Sequence, residues 1–206
     1  MFEIIAERLE QSRTMQLFHG SHGPGEQMCA VEMAAWLVGD EWTDHPECVC
    51  PVLGAFMRSW NDGLKDTERT TLLLPLIPRL INTRGSHALA DRRATMAADW
   101  LIRTHTVAWL RLAKLDKQAD MLASLPEITD FEQCPSLMPV LTAVRDDAAA
   151  AWVAAQDAAG NAAWAAAWAA ARDALKPTQS ELQASALSLV ERMCALTDHQ
   201  STENVA

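Results

Sequence analysis

Residues 88–113 read ALADRRATMAADWLIRTHTVAWLRLA. Met96, Ala97, Trp100, Leu101, Val107, Ala108 and Leu112 recur at intervals of three and four. That is the period of an α-helix with one apolar face. The spacing predicts one long helix over 88–113. The same period fills the rest of the chain, and no stretch alternates apolar and polar residues as a half-buried strand would. The expected fold is therefore all-α: a compact bundle of about seven or eight helices, forming one domain over residues 1–200. Ser201 to Ala206 reads as a tail.

Upstream, Phe2, Ile5, Ala6 and Leu9 suggest a first helix. Gly20, Gly23, Pro24 and Gly25 force a loop after it. A second helix is expected from about Glu26 to Val38, stopped by Gly39. Pro46 disfavours helix at His45, and Pro51 suits the first position of a third helix carrying Leu53, Phe56, Met57, Trp60 and Leu64. Asp66 or Thr67 can cap the next helix, which Pro75 and Pro78 should kink or split. Downstream, a short helix is expected over 116–124, then a connection with Pro126, Asp130 and Pro135. From Leu137 to Leu175 the chain is mostly alanine, the best helix former, with Trp152, Trp164 and Trp168. Unbroken, that helix would be about 58 Å long. Gly160 could kink it, Lys176-Pro177-Thr178 should end it, and a last amphipathic helix should bury Leu182, Ala186, Leu189, Val190 and Met193.

The net charge of −10 repels phosphate backbones and argues against duplex nucleic acid as a partner. Arg84, Arg92, Arg93 and Arg103 are interspersed with Asp91 and Asp99, so they read as a solvated face. Five cysteines and no basic-then-apolar leader fit a reducing cytoplasm better than a disulfide framework. The alanine tract is interrupted by Gln156, Asp157 and Asn161 and makes a poor membrane span.

His19, His22, Cys29, His45, Cys48 and Cys50 crowd the loop–helix–loop of residues 19–50. Mixed imidazole and thiolate donors on flexible loops are what a zinc site needs. The candidate ligands are His22, Cys29, His45 and Cys48, with Cys50 in place of His22 if that side chain points away. An equally weighted reading makes the thiols buried core groups and the histidines helix-capping loop residues, since free cysteine is often buried. Redox or nucleophilic catalysis is a third. Glu32 could assist a metal-bound water, but a charge on the helix surface is its plainer role. His105 reads as a satisfied core histidine, and Asn61-Asp62 as a cap or turn. There is no phosphate-binding glycine loop ending in Gly-Lys-Ser/Thr and no HExxH.

The runs Cys29-Ala-Val-Glu32-Met-Ala-Ala-Trp36-Leu-Val-Gly39 and Thr43-Asp44-His45-Pro46-Glu47-Cys48-Val49-Cys50-Pro51-Val52, followed by Trp60-Asn61-Asp62, resemble a group of uncharacterised proteins of actinobacteria and their bacteriophages. The alanine–tryptophan helix and the ending Leu182 to Met193 are similar to the same group. This resemblance implies a shared Cys29–Cys48 feature and no particular activity. The alanine-rich helix is also loosely similar to putative immunity proteins of bacterial toxin systems.

These readings favour a non-catalytic, acidic helical interaction protein. It would bind another protein, in a phage or defence setting, or self-associate, and be stiffened by zinc or a thiol cluster. A small-molecule binder lined by Trp36, Trp60 or Trp100 is the alternative, and a metal-dependent hydrolase a further one. On an ideal helix Asp157, Asn161, Trp164 and Trp168 share one stripe. Trp164 and Trp168 are thus the interface candidates, against the alternative that both are buried in the core.

Overall fold

The structure, a computed structural model, describes residues 1–25, 27–158 and 164–198, with the side chains of 152–174 outside that description. Trp164 and Trp168 fall among the latter, so the expected aromatic stripe lies outside the described residues. The chain is all-α, and the described residues contain no strand. It divides into two compact units, Met1–Ala94 with Leu187–Ala206, and Thr95–Ala186.

In the first unit, α1 (Ala6–Ser12) leads through a loop to α2 (Ala30–Val38). Gly39 stops α2 in the left-handed region, φ 72°, where a side chain would be strained. The third helix, α3 (Pro51–Gly63), starts on Pro51 as expected. The prolines split the next segment into α4 (Asp66–Leu73), a 3₁₀ turn at Leu74–Leu76 and α5 (Ile77–Leu80). Both Pro75 and Pro78 sit at the start of a new piece, where a missing N–H costs least. The core holds Leu17, Met33, Leu37, Leu53, Met57, Leu73, Leu76, Ile77 and Leu80, with Leu189, Val190 and Met193 from the chain's last helix.

The expected long helix is present but changes pitch: α6 (His87–Trp100), a π-helical stretch Leu101–Thr106, then α7 (Val107–Leu112). After α8 (Asp116–Ala123) and a 3₁₀ turn at Phe131–Gln133 comes α9 (Cys134–Ala158), with Pro139 inside it. The second unit's core is Val107, Leu110, Ala119, Leu122 and Val144.

The final helix, α10 (Trp164–Ala195), corrects one expectation, because it runs through Pro177 instead of ending there. An interior proline costs about 3 kcal/mol. Downstream, the apolar face Leu182, Ala186, Leu189, Val190 and Met193 is buried, and each side chain larger than alanine returns about 1.5–3 kcal/mol. Burial outweighs the breaker. No helix among the described residues is long and apolar enough to cross a membrane.

Candidate functional site

Glu32 organises the region 19–50. It lies on the first turn of α2 and is 1% exposed. Its Oε1 accepts the His22 main-chain N–H at 2.5 Å, and its Oε2 lies 2.9 Å from His22 Nδ1 and accepts the Cys29 N–H at 2.7 Å. Cys29 is the N-cap of α2, and its sulfur accepts the Glu32 N–H at 3.5 Å. This is a capping box in which cysteine stands where serine or threonine is usual. The expectation that Glu32 is a charge on the helix surface is therefore corrected. The Cys-x-x-Glu spacing carried that signal, because it matches the Ser/Thr-x-x-Glu form of the box. A carboxylate only accepts, so the His22 ring donates to it from Nδ1. The His22 carbonyl accepts the Trp42 indole N–H at 2.6 Å.

A second knot ties the same loop to the end of α3. Asn61, fully buried, accepts the Ala30 N–H on Oδ1 at 3.2 Å and donates from Nδ2 to the Phe18 carbonyl at 2.8 Å. Its own carbonyl accepts from Arg69 Nε, and Arg69 also donates to the Leu64 carbonyl and to Asp66. Asp62 accepts the Gly20 N–H at 2.7 Å, where Gly20 takes φ 83°. Partial burial pulls the Asp62 carboxyl up. The Gly20 and Asn61 hydrogen bonds, with His19 and Arg69 nearby, outweigh it and hold the group below its usual range. Asn61-Asp62 is thus a clasp on a distant loop, where a local cap or turn is the reading from sequence. That long-range pairing leaves no periodicity to read.

The four expected ligands are placed in different environments. His22 and Cys29 both meet Glu32. Cys48 is fully buried, its sulfur 4.0 Å from the Ala34 carbonyl. The His45 side chain is 68% exposed, with Nδ1 2.6 Å from Asp44 Oδ1. Cys50, the alternative ligand, is the N-cap of α3, and its N–H donates to Thr83 Oγ1 at 3.0 Å. Among the described residues, no three or more His, Cys, Asp or Glu side chains are grouped so as to hold a metal ion.

The electrostatics do not favour thiol chemistry. Burial pushes the Cys29 thiol up to about 12, with the Glu32 carboxylate adding to it. Burial, then Asp40, raises Cys48 to about 11. Burial raises Cys194 to about 11 as well. A nucleophilic cysteine needs its thiolate at neutral pH, and these are held as thiols.

The arginine face also needs correction. Arg93 is 1% exposed. It donates to the Met193 and Leu196 carbonyls at the end of α10 and to the Thr83 carbonyl. A buried guanidinium that closes orphan carbonyls at a helix end is an internal clamp. In the second unit, His105 packs between Trp100 and Trp109, with ring centroids 5.2 and 6.2 Å away. Its Nε2 accepts the Trp109 indole N–H at 3.1 Å. The ring is satisfied as expected, but it is half-buried and not in the core. No family model matches this chain, and no curated protein or solved structure was found to match it.

Proposed function

We propose that this chain is a non-catalytic, acidic helical protein that binds another protein, and that residues 19–50 lock its first unit. The observation that carries this reading is the occupation of Glu32. Both its oxygens are taken up by His22 and Cys29 inside a buried capping box. A general base must reach a substrate proton, whereas Glu32 is 1% exposed and already takes three hydrogen bonds on its two oxygens. The raised thiols give the same answer for nucleophilic catalysis. The net charge of −10 suits a basic partner, and neutralising a basic toxin or defence protein is one version of this reading.

The test is proximity labelling with the full chain in its native cell, followed by reconstitution of each labelled protein with the purified chain. A stoichiometric complex that weakens as salt rises is expected. Turnover of a small-molecule substrate that Glu32→Gln or His22→Asn abolishes, with the fold intact, would overturn the reading.

One feature favours a second reading, a small-molecule binder. In the second unit, Arg103, Thr104, Val107, Arg111, Thr178 and Glu181 help line an open cleft of about 460 Å³. That is within the size range of ligand pockets. Arg111 pairs with Asp120 and Arg103 pairs through Nη1 with Asp99, while the Arg103 Nε is buried without a hydrogen-bond partner among the described residues.

A further inference from the structure

We propose that the turn 127–133 and the start of α9 form a docking knob for a partner protein whose surface is basic around an apolar pocket. This rests on the interaction reading above and names the surface that carries it. Phe131 is 44% and Met138 52% exposed; the other exposed large apolar side chains among the described residues are Met1 and Leu101. Around them Glu127, Asp130 and Glu132 are exposed, and residues 118–144 contain no Lys, Arg or His. In sequence Phe131 is flanked by Asp130 and Glu132, and the turn's own segment carries no cation; Arg103 meets it only through Asp99, the carboxylate that also accepts the Ile128 N–H. Such a framing suits a pocket rimmed with Lys or Arg and disfavours a second copy of this acidic chain.

The knob is also stiff. Ile128 is buried beneath it, and its N–H donates to Asp99 Oδ1 at 2.9 Å. Gln133 Oε1 accepts the N–H groups of Thr129 and Asp130, at 2.8 and 3.0 Å, and its Nε2 donates to the Glu127 carbonyl. Asp130 Oδ1 accepts the Glu132 N–H at 2.8 Å, closing a capping box. Ser136 Oγ donates to the Gln133 carbonyl. A turn whose backbone is tied by its own side chains loses little entropy when it is captured. Rigid, exposed aromatics of this kind are where binding energy concentrates.

The experiment pans random short peptides, displayed on phage, against the full chain. The expected winners carry Lys or Arg beside an aliphatic or aromatic residue. Their consensus peptide should bind at least about tenfold more weakly to Phe131→Ser and to the double variant Glu127→Lys with Glu132→Lys. Binding should also weaken as salt rises. The double variant changes only exposed charges, so it reads the surface even if Phe131→Ser unfolds, and circular dichroism with melting checks both. Basic peptides that bind the double variant as tightly as the parent chain would overturn this surface while leaving the interaction reading standing. Winners that are acidic or uncharged would overturn the basic partner. A screen that enriches nothing would overturn the surface, and the interaction reading would still be decided by labelling and reconstitution.

Discussion

Glu32 holds His22 at two points, accepting its main-chain N–H at 2.5 Å and facing its ring Nδ1 at 2.9 Å. The carboxylate is buried, so removing it strands the His22 and Cys29 amides together. Glu32→Ala should cost about 3–5 kcal/mol, since each of the donors it strands costs about 1–3 kcal/mol when left without a partner. His22→Ala, which keeps the main-chain bond, should cost about 1–3 kcal/mol. Urea denaturation of both variants measures the difference. Equal midpoints for Glu32→Ala and the parent chain would show that the loop is not held by this carboxylate.

Zinc and the hydrogen-bonded arrangement make opposite predictions for His45. Its side chain is mostly exposed and pairs with Asp44 on the surface. His45→Ala should then shift stability by less than about 0.5 kcal/mol, as exposed substitutions do. Loss of a structural zinc ligand would be strongly destabilising, and a chelator would reproduce it in the parent chain. Melting curves of the variant, and of the parent chain with and without chelator, distinguish the two outcomes. Elemental analysis of the purified protein reports the metal itself.

Burial fixes the behaviour of the thiols at high pH. The unfolded thiol ionises near 9.0, and Cys29 in the folded chain near 12. Between those values the unfolded state has given up protons that the folded state keeps, so rising pH favours unfolding. The contribution is complete below about pH 9 and is lost as pH climbs toward 12, with Cys48 and Cys194 adding to the same window. Iodoacetamide at pH 8, read by mass spectrometry, should leave Cys29 and Cys48 unmodified and label the more accessible Cys134. Fast native labelling of Cys29 would contradict its burial.

Much of this arrangement is legible in the sequence, and the misses share a cause. Periodicity and breakers place α3 at Pro51, the split at Pro75 and Pro78, and the stop at Gly39, because each is a local effect of φ, a missing N–H or a repeating apolar face. The clasp of Asn61 on Phe18 and Ala30, and the clamp of Arg93 on Met193 and Leu196, join residues far apart in the chain. Their partners are backbone atoms, which no residue type announces. Arg93 looks like its neighbour Arg92 in sequence, and the end of α10 together with the Thr83 carbonyl gives it different work. Pro177 fails as a stop for a related reason: the burial that offsets it depends on tertiary contacts. The crowding of Cys and His in 19–50 marks a region where chain segments are tied together. The identity of the tie, a capping box on Glu32, rests on a single local spacing.

The His105 cluster gives the second unit an acid-sensitive step. A π turn closes over five residues in place of four, which brings His105 over Trp100. The Thr106 hydroxyl donates to the Leu101 carbonyl across the same interval. Burial lowers the pKa of the His105 imidazole below its usual 6.5, and its Nε2 is the acceptor for Trp109. Protonation would set a donor against a donor. In the unfolded chain the ring takes its proton near 6.5, while the folded chain resists until lower pH. Between the two values the unfolded state binds more protons, so stability rises with pH there. The contribution is present above about pH 6.5 and is lost as pH falls through the folded value. Thermal melts followed by tryptophan fluorescence from about pH 7.5 to 5 should show this loss. His105→Gln, which can still accept from Trp109 on Oε1 but cannot titrate there, should flatten the slope. A variant whose melting temperature falls with pH as steeply as that of the parent chain would place the acid sensitivity elsewhere.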